Sequence, residues 1–132
     1  MKTRRGAGQP GTVLVVDPDD AWRRVVRKWL EAGDFLVLDA GEADDAERIA
    51  RLYVGPIHLV LIDASLATTA GGELVEHLVT MHAELQTLLM SVRPQSELAR
   101  KRELAARHHF LRKPFTGEQL VLRVNKILTQ TS

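Results

Sequence analysis

Four polar side chains stand at or just behind the ends of short apolar runs, and their chemical types suit phosphoryl transfer. The four are Asp17, Asp63, Ser91 and Lys113. Two carboxylates brought together are stabilised by a divalent cation, and their hard oxygen atoms suit Mg²⁺. A carboxylate beside such a cation can attack phosphorus and form an aspartyl phosphate. A lysine then offsets the added charge, and a hydroxyl can hydrogen-bond a phosphoryl oxygen.

The apolar runs predict the strands that position these residues. Residues 13–16 form a continuous, β-branched-rich run that is typical of a strand buried on both faces of a parallel sheet. Similar runs recur along the chain. The predicted strands are residues 13–16, 35–38, 59–62, 88–90 and 110–111.

The segments between these strands carry apolar residues at helical spacing. The first such face consists of Trp22, Val25, Val26, Trp29 and Leu30, and we interpret both tryptophans as core residues. Asp19 or Asp20 is expected to cap this helix, and Gly33 to end it. The later faces are Ala46, Ile49, Ala50 and Tyr53, then Leu74, Val75, Leu78 and Val79, and last Leu120, Val121, Val124, Ile127 and Leu128. A further, strongly charged helix is predicted over residues 94–107.

Alternating strands and helices predict an α/β fold whose parallel sheet is covered on both faces. In such a fold ligands bind at the carboxyl ends of the strands, near the point where the strand order reverses. Asp17, Asp63, Ser91 and Lys113 therefore converge on one rim. Asp39, at the end of the second predicted strand, lies towards an edge and is of less interest.

Composition excludes several functional classes. The 132 residues include no cysteine, which excludes disulfides and thiolate zinc sites. Lys and Arg number 18 and Asp and Glu 17, a balance that argues against direct nucleic-acid binding. No apolar run is long enough for a membrane span or a signal peptide, so we expect a cytoplasmic protein. Residues 1–11 are interpreted as a flexible lead and residues 12–130 as one domain, which leaves no room for an output domain in this chain.

Over residues 12–129 the sequence resembles the receiver domain of two-component response regulators. The resemblance is carried by VLVVDPDDAWRRVVRKWLEAG, LVLIDASLATTAGGELV, LLMSV and FLRKPFTGEQL. Its most specific parts are Asp63 with Gly71 and Glu73 at the family's spacing, and Lys113-Pro114-Phe115. LLMSV and FLRKPFTGEQL look more like the receivers of hybrid histidine kinases than like stand-alone chemotaxis regulators. The resemblance implies a flavodoxin-like (βα)5 three-layer sandwich with the strand order 2-1-3-4-5.

The resemblance also implies a role for each site residue. Asp63 would accept a phosphoryl group from a histidine kinase or phosphotransfer protein. Asp17, Asp63 and the backbone carbonyl of Ser65 would hold Mg²⁺, while Ser91 and Lys113 would contact the phosphoryl group. The domain would act as a signalling module and not as an enzyme, with at most slow self-dephosphorylation.

A conformational switch is implied as well. Phe110 occupies the aromatic switch position, and it would turn inward when Ser91 moves towards the phosphate. The peptide bond before Pro114 would be cis. The surface formed by the fourth helix, fifth strand and fifth helix, which is basic in this sequence, is where a homodimer would form.

Three residues depart from the family's pattern. Pro18 replaces the second of two adjacent acidic residues, so we expect weakened Mg²⁺ binding and slower phosphorylation. Asp19 is a candidate substitute ligand, although a role as helix cap explains it equally well. Ala67 replaces a proline, and Val92 stands where a small residue is usual, with the expectation that it crowds Asp63 or restricts Phe110.

Two other functions remain open. One is a degenerate receiver that acts as a constitutive protein-interaction module. The other is a phosphatase of the haloacid dehalogenase type, since an apolar strand ending in Asp17-Pro18-Asp19 resembles its first motif, with Asp17 as nucleophile and Asp19 as acid/base. A dinucleotide-binding function is not supported, because no Gly-x-Gly-x-x-Gly follows the first predicted strand.

Overall fold

A computed structural model describes residues 11–67, 73–94 and 109–130 as an α/β structure around one sheet. The strands are β1 (Thr12–Val16), β2 (Leu36–Ala40), β3 (Leu59–Asp63), β4 (Gln86–Ser91) and β5 (His109–Arg112). All adjacent strands are parallel, and their order is β2-β1-β3-β4-β5. The predicted fold class and strand order are therefore confirmed.

Helices follow most of the strands. They are α1 (Asp20–Ala32), α2 (Ala43–Leu52), a single helical turn (Ala64–Ala67), α3 (Glu73–Met81) and the C-terminal helix (Gly117–Thr129). Of the helix predicted over residues 94–107, residues 95–107 lie outside the described residues. Gly71 and residues 1–10 of the predicted lead also lie outside them.

The sheet is buried on both faces because the side chains of each strand alternate between two layers. Val13 and Val15 of β1 pack into the α1 layer, which is formed with α1 and the C-terminal helix. Leu14 and Val16 pack into the α2 layer, which is formed with α2 and α3. This division explains why the strands read as continuous apolar runs and not as alternating ones.

The two ends of α1 are fixed by different means. Asp19 is the N-cap, and its Oδ1 accepts a hydrogen bond from the backbone N–H of Trp22 at 3.1 Å. Gly33 ends the helix as predicted, but its φ is −88°. The left-handed position is Asp34, with φ of 72°. Space favours glycine at this position, since a Cβ on Gly33 would lie 3.0 Å from Val121 Cγ2, a contact tighter than most.

The C-terminal helix packs closely against α1. Thr116 and Gln119 form a capping box at its start, with reciprocal hydrogen bonds of 3.1 and 2.9 Å. At Gly117 a Cβ would lie 2.6 Å from Cδ1 of Trp29. The first residue of this helix therefore has to be glycine for the indole to lie against its backbone.

The α2 layer differs in character from the α1 layer. Ala46 and Ala50 are its buried positions on α2, and their small size brings that helix close to the sheet. His77 of α3 pairs with Glu47 of α2 at 3.1 Å, and His82 contacts the backbone carbonyl of Ala50 at 2.9 Å. Both histidines therefore join α3 to α2 across this layer.

Several boundaries differ from those predicted. β2 begins after Phe35, which is buried in the turn from α1, and β4 begins two residues early at Gln86. Polar Gln86 and Thr87 pair with β3 and so belong to the strand, although they interrupt the apolar pattern. Val79 was expected on the buried face of α3, yet it is 38% exposed.

Candidate functional site

The ends of β1, β3, β4 and β5 form one rim, and they carry the four polar residues that the sequence singled out. Asp63 is the last residue of β3 and lies opposite Met90 of β4. Ser91 is the last residue of β4 and lies opposite Arg112 of β5, directly before Lys113. Asp17 follows β1, which is the neighbour of β3 on the other side.

Lys113 joins the two carboxylates. Its Nζ donates hydrogen bonds of 2.8 Å to Oδ2 of Asp17 and of 2.8 Å to Oδ1 of Asp63. The side chain of Asp17 is 1% exposed, and those of Lys113 and Asp63 are 15% and 16% exposed. The peptide bond between Lys113 and Pro114 is cis, as the resemblance implied. A partly desolvated acid–lysine–acid cluster therefore lies at the centre of the rim.

The lysine determines the charge state of this cluster. Burial alone raises the pKa of Asp63, but hydrogen bonds from Lys113 and Ser65 outweigh it, so the pKa lies below its ordinary value. For Lys113, burial lowers the pKa, and the bonds to Asp17 and Asp63 outweigh that effect and raise it. Asp63 is therefore an ionised carboxylate at neutral pH, as a nucleophile has to be.

The second oxygen of Asp63 is held by Ser65. Oδ2 accepts a hydrogen bond from the backbone N–H of Ser65 at 3.1 Å and another from its hydroxyl. Oδ1 of Asp63 thus accepts a hydrogen bond from the cationic Lys113, and Oδ2 accepts its hydrogen bonds from the uncharged Ser65. The hydroxyl contact was not predicted, because the resemblance implied a role only for the carbonyl of Ser65.

Asp17 is fixed by its own loop. Its Oδ1 accepts a hydrogen bond from the backbone N–H of Asp19 at 2.9 Å, and its backbone carbonyl accepts one from Arg23 at 2.6 Å. Asp19 itself caps α1, the helix-cap role that the sequence left open. Pro18 between them is exposed and offers no oxygen ligand in its side chain.

Ser91 and Phe110 lie on the α2 side of the rim. Ser91 is buried, and its Oγ accepts a hydrogen bond from the backbone N–H of Arg93 at 3.0 Å. Phe110 lies opposite Leu89 in the sheet and is partly buried against Ala64, which directly follows Asp63. Val92 is 66% exposed, so its side chain extends largely into solvent.

Trp22 belongs to the site, and interpreting it only as a core residue missed this. Lys113 Nζ lies 5.6 Å from the centroid of its ring, within the range of a cation–π contact. Trp22 is the first large apolar residue of α1, and that position at the rim end of the helix is the signal that could have identified it.

The residues at the rim fit a magnesium ion in donor type but supply few charges. Asp17, Asp63 and the Ser65 carbonyl are hard oxygen donors. Across the part of the chain that the structure describes, no group of three or more His, Asp or Glu side chains could hold a metal. Pro18, between Asp17 and Asp19, adds no oxygen donor from its side chain.

No helix within residues 11–67, 73–94 and 109–130 is long and apolar enough to cross a membrane.

The sequence matches the family described as response regulator receiver domain over residues 13–125. The chain therefore belongs to the receiver domains of two-component systems, a class of signalling modules, and this confirms the resemblance.

Curated relatives include longer proteins. The chain is 29% identical over 97% of its length to the probable transcriptional regulatory protein TcrX of Mycobacterium tuberculosis, and 32% identical over 92% to protein PetR of Rhodobacter capsulatus. It is 27% identical over 89% of its length to the sensor kinase CckA of Brucella abortus. The matches cover 54% of TcrX, 50% of PetR and 12% of CckA, so the chain spans about half or less of these relatives.

Solved structures show the same fold. A CheY-like receiver domain protein from Methanospirillum hungatei superposes with a TM-score of 0.77 at 20% identity, covering 93% of this chain and 97% of that one. The receiver domain of the hybrid histidine kinase CckA gives a TM-score of 0.71 at 25% identity, covering 89% and 99%.

Proposed function

We propose that this chain is a phosphoacceptor domain that receives a phosphoryl group on Asp63 from a histidine kinase or phosphotransfer protein. The observation that carries the proposal is the cluster in which Lys113 Nζ lies 2.8 Å from oxygens of both Asp17 and Asp63. Membership of the receiver family supports it. The domain is proposed to extend over residues 12–130 and to signal without catalysing a reaction of its own.

The transfer step follows from the charge state of Asp63. A carboxylate oxygen of Asp63 attacks the phosphorus of a phosphohistidine, and the phosphorus–nitrogen bond breaks with its electron pair going to the imidazole. The anionic mixed anhydride that forms keeps the ammonium of Lys113 beside it, which offsets charge that would otherwise repel Asp17. Ser65 steadies the carboxylate through its backbone N–H at 3.1 Å.

A magnesium ion fits this proposal as a partner of Asp17, Asp63 and the Ser65 carbonyl, with Asp19 as a further candidate. When bound, the ion would supply positive charge against the phosphoryl oxygens. Because Pro18 leaves the rim short of one carboxylate, we expect an affinity weaker than submillimolar. Titrating Mg²⁺ while recording Trp22 emission tests this expectation, and tight submillimolar binding would overturn it.

The switch is proposed to use Ser91 and Phe110. Phe110 already packs against Ala64, next to Asp63, and Ser91 lies on the same face of the sheet as Leu89, the neighbour of Phe110. A phosphoryl group on Asp63 would draw the Ser91 hydroxyl away from the Arg93 amide. The movement would open space for Phe110 and change the surface around β5.

This surface is the proposed route of output. It comprises β5, the C-terminal helix and the predicted helix over residues 94–107, and a second copy of the chain is the proposed partner there. Direct nucleic-acid binding is not part of the proposal.

The experiment is incubation with acetyl phosphate and Mg²⁺, followed by intact-mass measurement and peptide mapping. We expect one phosphate adduct on the wild type and none on Asp63→Ala. Asp39→Asn is the matched control, because Asp39 also stands near a strand end but pairs with Arg27 at 2.8 Å and not with Lys113. An adduct on Asp17 would favour the phosphatase hypothesis. The absence of an adduct on the wild type and on both variants would favour the constitutive interaction module.

A further inference from the structure

We propose that Trp22 is a positioning residue that holds the ammonium group of Lys113 between Asp17 and Asp63. This inference rests on the proposed phosphoacceptor function, in which Lys113 has to lie beside Asp63. Its basis is the 5.6 Å separation between Lys113 Nζ and the centroid of the Trp22 ring.

The lysine needs a third contact. Its four-carbon stem is flexible, and a pair of carboxylates fixes the distance of the ammonium but leaves the stem free to rotate. The electron-rich face of an indole attracts a cation, most strongly where water is partly excluded. Lys113 is 15% exposed, so the site meets that condition.

The indole is itself held rigidly. Its ring packs edge-to-face against Trp29, with centroids 5.8 Å apart, and against Phe115 at 5.0 Å. Its N–H points at the sulfur of Met90 at 3.4 Å. Met90 is the β4 residue that lies opposite Asp63, so the ring is tied to the strand beside the acceptor.

This arrangement assigns different tasks to two tryptophans that the sequence pattern treats alike. Trp29 packs against Gly117, the core, Trp22 and Phe115. Trp22 has both the core contacts and the contact with the ammonium. Replacing Trp29 therefore removes packing, including one of the contacts that hold Trp22, whereas replacing Trp22 also removes the contact with the ammonium itself.

The first experiment measures the rate of phosphorylation by acetyl phosphate in Trp22→Phe, Trp22→Leu and Trp29→Leu. We expect Trp22→Leu to lower the rate constant about fivefold, in keeping with the strength of a partly desolvated cation–π contact. Trp22→Phe keeps a ring face and should recover most of the wild-type rate, while Trp29→Leu should slow the reaction less than Trp22→Leu despite a similar loss of stability, because it leaves the contact of Trp22 with Lys113 in place. Equal slowing in Trp22→Leu and Trp29→Leu, or no slowing in either, would overturn the proposal.

A second measurement needs no phosphorylation. In Trp29→Phe the only tryptophan left is Trp22, since the chain contains two. Adding Lys113→Met should change the intensity and the wavelength of its emission, and adding Lys126→Met on the C-terminal helix should not. Unchanged emission on loss of Lys113 would overturn the proposal.

The two measurements separate the possible failures. If the wild type takes no phosphate, the proposed function fails, and the emission comparison alone decides whether Trp22 contacts Lys113. If the wild type is phosphorylated on Asp63 and Trp22→Leu reacts at the same rate, the function stands and the positioning role fails.

Discussion

The two layers that cover the sheet use different side chains and reach the site in different ways. The α1 layer is aromatic near the rim, where Trp22, Trp29 and Phe115 contact one another and extend to Lys113. The α2 layer is aliphatic and alanine-rich on α2, and it reaches the rim through Phe110. Large interlocked rings resist movement, whereas a single partly buried ring against Ala64 can change its position.

This difference indicates that the two layers contribute in different ways to the surroundings of Asp63. Side chains that fix the charge of the site come from the α1 side, and side chains proposed to move lie on the α2 side. The α2 helix also begins differently from α1 and the C-terminal helix. Asp19 caps α1 and Thr116 caps the C-terminal helix, whereas Glu42 at the N-cap of α2 makes no side-chain hydrogen bond to the helix.

Truncation of a core residue in either layer should have the largest effect on stability, and it tests whether the two layers are separate. Phe115→Ala is expected to lower the free energy of unfolding by about 3–5 kcal/mol, and Leu78→Ala by about 2–5 kcal/mol. Only the first should change Trp22 emission in the folded protein, because Phe115 contacts that ring and Leu78 lies in the other layer. Urea unfolding and fluorescence measure both quantities. An emission change of equal size in Leu78→Ala would show that the layers are not separate.

Adding one methyl group at the α1 interface should have the next largest effect. In Gly117→Ala the new Cβ would lie 2.6 Å from Trp29, a ring that cannot withdraw, and we expect a loss of about 1–3 kcal/mol in stability. Gly41→Ala is the control, since its Cβ would meet only the end of the Arg23 side chain at 3.1 Å. Thermal unfolding of both variants checks the order, and equal losses would contradict the close packing of Trp29.

Substitutions at the helix N-caps should have smaller effects on stability, and they test the difference between the helix starts directly. Thr116→Ala removes a capping hydrogen bond and should cost about 1 kcal/mol. Glu42→Ala should cost close to nothing, and Glu42→Asn should stabilise the protein by about 0.5–1 kcal/mol, because Asn supplies the cap that α2 lacks. Chemical denaturation measures these values. A loss on Glu42→Ala as large as that on Thr116→Ala would show that Glu42 stabilises α2 by another route.

The smallest effect is the pH dependence of stability. The pKa of Asp63 lies below 3.8 in the folded state, so its contribution is present above pH 3.8 and is lost as the pH falls through the folded value. The pKa of Lys113 lies above 10.5, so its contribution is present below pH 10.5 and is lost as the pH rises further. Asp63→Asn should therefore lose less stability than the wild type on acidification below pH 3.8. Urea titrations at several pH values measure the free energy of unfolding. The same decrease of this free energy below pH 3.8 in both proteins would contradict the prediction.

Much of this structure could be predicted because the information is local. Apolar runs identified all five strands, and the residues at their ends identified the rim. Gln86 and Thr87 escaped prediction because their place in β4 depends on pairing with β3, not on their own polarity. The helical turn Ala64–Ala67 could not be predicted, because a four-residue helix has too little periodicity to detect.

The contacts of the site were harder to predict than its members. The ring of Trp22 reaches Lys113 through tertiary geometry, and the hydroxyl of Ser65 reaches Asp63 through the local backbone conformation after β3, and residue types alone reveal neither. Both candidate roles of Asp19 were open in the sequence, and the structure shows the helix cap. Where a residue fits two roles, the choice between them depends on the direction of its side chain.

Lys113 lies 96 positions beyond Asp17 in the chain, and its own strand, β5, stands at the edge of the sheet. The bridge between them closes a loop that encompasses most of the chain, and closing a loop of this length costs conformational entropy. Lys113 lies between the two acids because β5 pairs with β4, so without that pairing neither acid would have the charge environment of the complete site. The proposed ability to accept a phosphoryl group is thus coupled to completion of the sheet.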